Sequence, residues 1–438
     1  MSRVRFPPAR IVMINLAPSS NRIHIAFFGR RNAGKSSLVN AVTGQNLSIV
    51  SGSKGTTTDP VYKAMELLPL GPVVIIDTPG IDDDGDLGEL RIQKAMQVLR
   101  KTDAAVLVLD GDCQDADLNA EKKLIELFNK KNIPYLAVIN KADIHSSLPA
   151  SASSFLNKSP LFSVSAKTGF NINELKEKIA DLIKNEEAEL FLARDRSLAA
   201  DRSLTADLIK PDDLVVLVVP IDESAPKGRL ILPVQQVIRD ILDAGAIAVT
   251  VKESGLSEAL SSLNKKPALV ITDSQVFEYV SAIVPQEIPL TSFSILFARR
   301  KGFLETSVAG AKALDTLQNG NKILICEGCT HHRQCGDIGT VKLPNMIRSY
   351  TKANIDFSFC SGGDFPENIL PYKVIIHCGG CMLNDREMHY RCLCAEEADI
   401  PFTNYGVTIA HIKGILERCV MSHGSCFLPY MIQSNTGG

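Results

Sequence analysis

The sequence lacks any long block of basic residues and any long apolar run. Its 47 Lys and Arg residues are balanced by 49 Asp and Glu residues, which gives a formal net charge of −2. Proteins whose main partner is a nucleic acid usually carry clustered basic residues, so we expect no nucleic acid partner here. A helix that spans a bilayer needs about 20 apolar residues in succession, so we also expect no membrane partner.

Cysteine is almost absent from the first 325 residues, where Cys113 is the single example. The other ten of the 11 cysteines follow, and several of them lie beside histidines. This clustering favours metal binding in a reducing compartment over the disulfide framework of a secreted protein. The opening residues contain no apolar segment long enough for a signal peptide, so we expect a cytoplasmic protein.

The order of apolar runs and helical segments predicts an α/β protein with about three domains. An N-terminal arm (1–20) precedes a region of alternating strand and helix signals (21–186) that predicts a mainly parallel sheet. A charged linker then leads into a compact α/β module (187–265), and strand–helix alternation resumes as a doubly wound layer (266–438). We detect no internal repeat in the sequence.

The small module contains two strands rich in Val and Leu, DLVVLVVP and AIAVTV. Such strands leave a sheet edge that a second copy of the chain could extend, which favours self-association. The alternative is that the module is an intramolecular spacer, and the composition favours neither role.

A phosphate-binding loop follows the first predicted strand. The run GRRNAGKS at 29–36 lies between the strand IHIAFF and the helix SSLVNAVT, which is the context that this motif requires. Glycines allow the backbone amides to surround the phosphates, Lys35 reaches the β and γ phosphates, and Ser36 offers a hydroxyl to magnesium.

Two further runs indicate that the base is guanine. Asp143, in the run NKAD, can accept hydrogen bonds from both N1–H and the exocyclic amine of guanine, whereas adenine would leave its lone pairs unpaired. The run SAK at 165–167 completes the base pocket. The predicted GTP-binding residues are Asn32, Ala33, Gly34, Lys35, Ser36, Ser37, Thr57, Asp77, Gly80, Asn140, Lys141, Asp143, Ser165, Ala166 and Lys167.

The run DTPG at 77–80 predicts the second switch, and GTTTD at 55–59 predicts the first. We expect Ser36, Thr57 and Asp77 to hold magnesium, with Thr56 and Thr58 as alternatives to Thr57. The residue after DTPG is Ile81, which cannot orient an attacking water as glutamine does, so we expect slow GTP hydrolysis.

A second constellation lies in the C-terminal region. Cys329-Thr-His331 is followed 45 residues later by His377-Cys378-Gly-Gly-Cys381, and each half comes just after a predicted strand. Parallel strands share one carboxyl edge, so these residues can converge there. Three cysteines suit a 4Fe-4S cluster with one distinct iron, and His331 and His377 are candidates for the fourth ligand or for a hydrogen bond to a cysteine.

The spacing leaves a different metal open. Cys326-x-x-Cys329 and Cys378-x-x-Cys381 could together form a structural zinc site with four cysteine ligands. For Cys335, Cys360, Cys392, Cys394, Cys419 and Cys426 we expect buried apolar roles.

Nearly the whole chain resembles the HydF family of FeFe-hydrogenase maturation proteins. The likeness is carried by the metal motif, by IAFFGRRNAGKSSLVNA, by VSGSKGTTTDPVYKAMEL and by VVPIDESAPKGRLILPVQQVIRDILD. Asn32 is also similar to the asparagine of potassium-activated GTPases of the TrmE and Era group, which implies that K⁺ stimulates hydrolysis.

The HydF resemblance implies a fold, a cofactor and partners. It implies a P-loop GTPase domain, a small α/β module that makes a homodimer, and a doubly wound α/β metal-cluster domain. Cys329, Cys378 and Cys381 would hold a 4Fe-4S cluster. The protein would accept a di-iron precursor from two radical-SAM maturases, HydE and HydG, and deliver it to apo FeFe-hydrogenase, with GTP and Mg²⁺ as a switch.

The competing interpretation is a ribosome-related or tRNA-related GTPase with a structural zinc site. It shares the whole nucleotide site and predicts RNA affinity with a steep salt dependence. The low net charge favours the scaffold over this alternative.

Overall fold

The fold is taken from a computed structural model that describes residues 19–44, 59–80, 86–111, 118–144, 161–193, 203–221, 230–329 and 337–421, with the backbone alone for 86–92 and 186–193. The chain divides into two compact units, 1–186 and 187–438. Within the described ranges, no helix combines the length and the apolar character that a bilayer crossing needs.

The first unit is built on a six-stranded sheet with the strand order β2-β3-β1-β4-β5-β6. Only β2 is antiparallel to its neighbour, and the other pairs are parallel. The strands are β1 (Ile23–Phe28), β2 (Val61–Leu67), β3 (Gly71–Asp77), β4 (Ala104–Asp110), β5 (Tyr135–Asn140) and β6 (Leu161–Ser163). The helices are α1 (Lys35–Thr43), α2 (Asp86–Leu99), α3 (Asn119–Lys130) and α4 (Ile172–Ala193).

Helices cover both faces of this sheet, as the continuous apolar runs predict. Ile25 and Phe27 of β1 belong to the core on one face, whereas Ala26 and Phe28 belong to the core on the other. Alternate side chains of a strand point to opposite faces, so a strand that is buried on both sides is apolar throughout. The arrangement leaves the carboxyl ends of β1, β3, β4 and β5 at one edge for the polar loops.

The second unit contains two four-stranded sheets, and all their strand pairs are parallel. The first has the order β10-β9-β7-β8, with β7 (Leu214–Val218), β8 (Ile247–Val251), β9 (Leu269–Thr272) and β10 (Leu290–Ser292). The second has the order β12-β11-β13-β14, with β11 (Lys322–Glu327), β12 (Asp356–Ser361), β13 (Val374–His377) and β14 (Phe402–Asn404).

The helices of the second unit lie between these strands. They are α5 (Leu232–Asp243), α6 (Leu256–Ser262), α7 (Phe277–Ile283), α8 (Phe293–Arg300), α9 (Leu304–Ala311), α10 (Leu343–Thr351), α11 (Asp385–Glu397), α12 (Tyr405–Ile412) and α13 (Leu416–Met421). A single π-helical turn, Ile338–Lys342, precedes α10. One apolar core includes residues of both sheets, among them Val216 of β7 and Ile325 of β11.

The predicted domain boundary between 265 and 266 falls inside the first of these sheets. Residues Val215 to Val218 of β7 pair with Leu269 to Thr272 of β9, so strands assigned to the C-terminal layer complete the middle sheet instead. The prediction was wrong because β9 continues the alternation of helices and strands that is also found after it. This alternation does not show which strands pair with each other.

The two sheets of the second unit are duplicates in topology and register. Each has its first strand in the centre, its second strand at one edge, and its third and fourth strands on the other side. The last row of paired residues that crosses all four strands is equivalent in the two sheets: Val251, Val218, Thr272 and Ser292 in one, and Cys360, Cys326, His377 and Asn404 in the other. We call the first the apolar row, after its two valines, and the second the polar row.

The expectation that the chain contains no repeat is therefore wrong at the level of structure. A short sequence signal exists, since IPLTSF at 288–293 matches IPFTNY at 400–405. In both copies the last row residue caps the following helix: Ser292 Oγ accepts a hydrogen bond from the Ile295 amide, and Asn404 Oδ1 accepts one from the Val407 amide.

Candidate nucleotide and metal sites

The phosphate loop connects β1 to α1 and requires unusual backbone angles. Gly29, Asn32 and Gly34 have φ values of 146°, 61° and 85°. A Cβ atom on Gly34 would lie 2.2 Å from Asn140 Nδ2, so only glycine fits where the loop meets the base-binding strand.

Lys35 and Ser36 begin helix α1, and both side chains are hydrogen-bonded. The Lys35 ammonium donates hydrogen bonds to the carbonyl oxygens of Gly29 (2.9 Å) and Arg30 (2.6 Å) within the loop. The Ser36 hydroxyl donates to Asp77 Oδ2 at 2.6 Å. The structure thus brings together two of the predicted magnesium ligands, and Thr57 lies outside the described residues.

The guanine pocket is connected to the phosphate loop by Asn140 at the end of β5. Its side-chain amide donates to the Ala33 carbonyl oxygen (3.1 Å), and its Oδ1 accepts from the Ala166 amide (3.1 Å). One side chain therefore joins the phosphate loop, the strand β5 and the loop after β6.

Asp143 is held as a carboxylate that can accept from the base. Ser165 Oγ donates a hydrogen bond to Asp143 Oδ1 at 2.6 Å. This bond lowers the pKa of the Asp143 carboxyl, and the positive charge of Lys167 acts in the same direction. An ionised carboxylate can accept hydrogen bonds from the paired donors of guanine. It has no donor for the N1 acceptor of adenine.

Three contacts of the nucleotide site were not predicted. The Arg30 guanidinium lies 2.7 Å from the buried carboxylate of Glu121 on α3, and Lys141 Nζ donates to Asp110 Oδ2 at 2.5 Å. A Cβ atom on Gly80 would lie 2.8 Å from the Arg31 amide nitrogen, so the second switch touches the phosphate loop at a glycine. These contacts join residues that are distant in sequence, and no sequence motif predicts them.

The three predicted cluster cysteines lie at the carboxyl edge of the polar-row sheet, which we call the cysteine edge. Cys329 follows β11, whereas Cys378 and Cys381 follow the neighbouring strand β13. A hydrogen bond from the Cys378 amide to the Cys326 carbonyl oxygen (2.9 Å) joins the second half of the motif to β11, the strand that precedes the first half. His331 lies outside the described residues.

The Cys378 thiol accepts two backbone hydrogen bonds, from the amides of Gly328 (3.1 Å) and Gly380 (3.4 Å). Burial raises the pKa of Cys378, and burial also raises the pKa of Cys381 to about 12. Such thiols keep their protons at neutral pH unless a metal ion displaces them. In the described ranges no three Cys, His, Asp or Glu side chains already stand in a metal-binding arrangement.

His377 is fully buried, and both of its ring nitrogens have partners. Nδ1 lies 2.8 Å from the Cys378 carbonyl oxygen, so it carries the proton and donates. Nε2 lies 3.0 Å from Arg391 NH1 and accepts from it. Burial and the neighbouring Arg391 lower the pKa of His377 to about 3, which keeps the ring neutral. These contacts are those expected of a residue that orients a cysteine, and the choice between this role and that of a ligand stays a prediction.

Cys326 does not complete a set of four cysteines in this structure. Its side chain is fully buried in the core and hydrogen-bonded to the thiol of Cys360, its partner on β12. The zinc alternative requires Cys326 to face the same metal as Cys329, so the observed packing weighs against it. Cys360, expected to be a plain core residue, is buried but has this polar partner.

A buried ion pair that the sequence analysis missed lies beneath the cysteine edge. Arg391 is 0% exposed; its Nε donates to Glu387 Oε1 (2.9 Å) and its NH2 donates to the Gly362 carbonyl oxygen (2.5 Å). Glu387 and Arg391 are four residues apart on α11, a spacing that places them on one face. Lys301 adds a second buried cation, donating to the Leu383 carbonyl oxygen and to Asp385 Oδ1 at 2.8 Å each.

Comparison with known families identifies each part of the chain. The 50S ribosome-binding GTPase model matches residues 24–141, the hydrogen maturase F dimerization domain matches 204–302, and the hydrogen maturase F tetramerization domain matches 305–422. Two hydrogen maturase F domains thus follow a GTPase domain in this chain. These matches confirm the resemblance seen in the sequence and the predicted α/β class with a P-loop GTPase domain. The two hydrogen maturase F matches also meet near residue 303, between the last strand of the first sheet (β10) and the first strand of the second (β11).

Curated relatives match the GTPase domain alone. GTPase Der of Wolinella succinogenes is 37% identical over 182 residues, which is 39% of this chain and 38% of that protein. The tRNA modification GTPase MnmE of Endomicrobium trichonymphae is 34% identical over 178 residues, covering 38% and 37%. The chain thus spans less than two fifths of the length of these relatives.

Similar solved structures are also GTP-binding proteins. Era of Aquifex aeolicus bound to GDP·AlF4− has a TM-score of 0.32 and 19% identity, and the match covers 59% of this chain and 97% of that one. NFeoB of S. thermophilus bound to GDP·AlF4− has a TM-score of 0.31 and 22% identity, with coverage of 42% and 72%.

Proposed function

We propose that this protein is a GTP-hydrolysing scaffold of FeFe-hydrogenase maturation, which holds a 4Fe-4S cluster and carries a di-iron precursor to apo-hydrogenase. The observation that carries the proposal is the combination of a guanine-specific pocket with both hydrogen maturase F domains in one chain. Hydrolysis in the cytoplasm, slow and stimulated by K⁺, is part of the proposal.

The cysteine edge fits an iron-sulfur cluster by its donor chemistry. Cys329, Cys378 and Cys381 would hold it, because soft thiolates are the ligands such clusters take. The amides directed at Cys378 and the cations of Arg391 and Lys301 would offset the negative charge of the bound group. When bound, the cluster would supply one iron whose fourth coordination position is not a cysteine.

The di-iron precursor is the cargo, and the partners are those of the family. We propose that HydE and HydG supply the precursor and that apo FeFe-hydrogenase receives it, and we propose no nucleic acid or membrane partner. The GTPase relatives act in other settings, but their likeness covers the nucleotide domain alone.

We propose that the middle domain forms a homodimer through its edge strand β8. Three observations support this: the family description of residues 204–302, the position of β8 at the sheet edge, and the partial exposure of all its side chains. A parallel strand with free edge groups can pair with the same strand of a second copy.

GTP acts as a switch in this scheme. The direct bond from Ser36 to Asp77 and the folding of Lys35 onto the loop carbonyls both occupy groups that Mg²⁺ and the γ-phosphate would claim. Binding of the triphosphate therefore has to rearrange the phosphate loop and the start of the second switch, and hydrolysis reverses this.

The test is activation of apo-hydrogenase by the purified protein taken from cells that make the maturases. Lys35→Ala should abolish GTP binding and reduce activation, whereas Lys123→Ala, at an exposed lysine of α3, should leave both unchanged. Full activation by the Lys35→Ala protein would remove the switch from the proposal. A wild-type protein that hydrolyses GTP but activates no hydrogenase would overturn the proposed function.

A further inference from the structure

Arg391 is the largest fully buried side chain in the described ranges, and the middle domain shows that the fold does not need it. The two sheets of the second unit share strand order and register, yet in the described part of the middle domain no ion pair has both of its side chains buried. A buried ion pair costs desolvation free energy that apolar packing would avoid. Its presence in one copy alone points to a role in the chemistry of that copy.

The contacts of Arg391 lead directly to a cysteine. NH1 donates to His377 Nε2, His377 Nδ1 donates to the Cys378 carbonyl oxygen, and the Cys378 thiol lies at the cysteine edge. NH2 of the same guanidinium donates to Gly362, just after β12, so Arg391 joins the strands on both sides of β11. Glu387 holds the guanidinium in place, because its Oε1 accepts a hydrogen bond from Arg391 Nε.

The cation also acts on the thiols through its charge. Only the His377 ring separates its guanidinium from the backbone of Cys378. Cys392 follows Arg391 directly on α11. Arg391 is thus a fixed positive charge among sulfur atoms.

We propose that Arg391 is a positioning residue of the cysteine edge, holding His377 so that its ring orients Cys378, and that its charge raises the reduction potential of the bound cluster. Because an added electron increases the negative charge of the cluster, a nearby fixed cation favours the reduced state. Glu387 opposes this effect and holds Arg391 in place. The inference rests on the proposed cluster-binding function.

The experiment is an EPR-monitored redox titration of the full-length protein after anaerobic iron and sulfide reconstitution. Arg391→Met should lower the midpoint potential, so that the ratio of reduced to oxidised cluster at the wild-type midpoint falls about tenfold, which corresponds to about 59 mV for one electron. Glu387→Gln removes a negative charge at nearly constant shape and should shift the potential in the opposite direction. Arg391→Lys keeps the charge and should restore most of the potential.

Shifts of opposite sign cannot come from a loosened site, so the pair of variants separates charge from structural damage. If Arg391→Met fails to fold, the positive shift in Glu387→Gln still tests the charge. The inference alone would be overturned if the wild type binds a cluster but Glu387→Gln leaves its midpoint potential unchanged. A shift of the midpoint potential in the same direction in both variants would overturn it as well. A wild-type protein that binds no cluster would overturn the proposed function and this inference with it.

Discussion

The middle and C-terminal domains have the same sheet but carry different rows of side chains at its carboxyl edge. The apolar row is Val251, Val218, Thr272 and Ser292, and the polar row is Cys360, Cys326, His377 and Asn404. The fold tolerates both, so the strand order and core do not dictate the polar row. The comparison teaches that one strand arrangement accepts either set of side chains at its carboxyl edge.

Variants of the two domains can separate the side chains that the fold needs from the side chains that serve the site, because the middle domain keeps the same sheet with other residues at its edge.

The largest effect is expected from breaking the buried ion pair. Arg391→Met leaves the Glu387 carboxylate buried without its cation and should lower the free energy of unfolding by about 3–5 kcal/mol. Replacing both residues by methionine should recover most of that loss, since no ion pair in the described residues of the middle domain has both side chains buried. Urea unfolding of the metal-free protein measures both. Equal losses in the single and double variants would mean that the pair is required by the fold.

A smaller effect is expected when His377 is replaced by its counterpart. His377→Thr removes the acceptor for Arg391 NH1 and the donor to the Cys378 carbonyl, at a cost of about 1–3 kcal/mol. Because His377 has both ring nitrogens engaged, the variant should still bind iron after reconstitution. Iron analysis and the EPR spectrum check this. A variant that keeps its stability but loses its iron would show that His377 is a ligand after all.

The caps of the two equivalent helices should cost similar amounts. Ser292→Ala removes the bond to the Ile295 amide, and Asn404→Ala removes the bond to the Val407 amide; each should cost about 1 kcal/mol. Asn404 should cost somewhat more, because its amide also donates to the Ser294 carbonyl oxygen at 2.9 Å. The same urea series measures both variants, and a larger loss at Ser292 would contradict the equivalence of the rows.

The smallest effect is expected from Cys326→Val and Cys360→Val, which install the residues of the apolar row. Valine is larger than cysteine by roughly one methyl group, but the equivalent sheet already holds valines at both positions, and the double variant removes both members of one buried thiol pair. The double variant should therefore change stability by less than about 1.5 kcal/mol. Its iron content should match the wild type. Loss of bound metal in the single variant Cys326→Val would instead support a metal site with four cysteine ligands that include Cys326.

The nucleotide motifs are contiguous, so their residues could be named from the sequence. The structure brings Ser36 to Asp77 and Asn140 to the phosphate loop, whereas Lys35 donates to loop carbonyl oxygens, a contact that no motif implies. The pairing of Arg30 with Glu121 could not be predicted, because it joins the phosphate loop to a helix that begins 89 residues later, at Asn119.

The second unit was predicted less completely, for a physical reason. Strand signals show that a strand exists but not which strand it pairs with, so β9 and β10 were assigned to the wrong layer. Arg391 and Glu387 were missed because charged residues four apart on a helix normally form an exposed pair, and only the packed structure shows these two to be buried. The duplication had one short signal, the matched runs at 288–293 and 400–405.

The central claim is that the polar edge of the C-terminal domain holds an iron-sulfur cluster while the equivalent edge of the middle domain holds none. The most direct test is anaerobic reconstitution with iron and sulfide, followed by visible absorption and EPR spectroscopy. The wild type should show a reducible 4Fe-4S signal that is lost when Cys329, Cys378 and Cys381 are replaced by alanine and kept when Asp273, the counterpart of Cys378, is replaced. A colourless wild-type protein that retains tightly bound zinc would contradict the account.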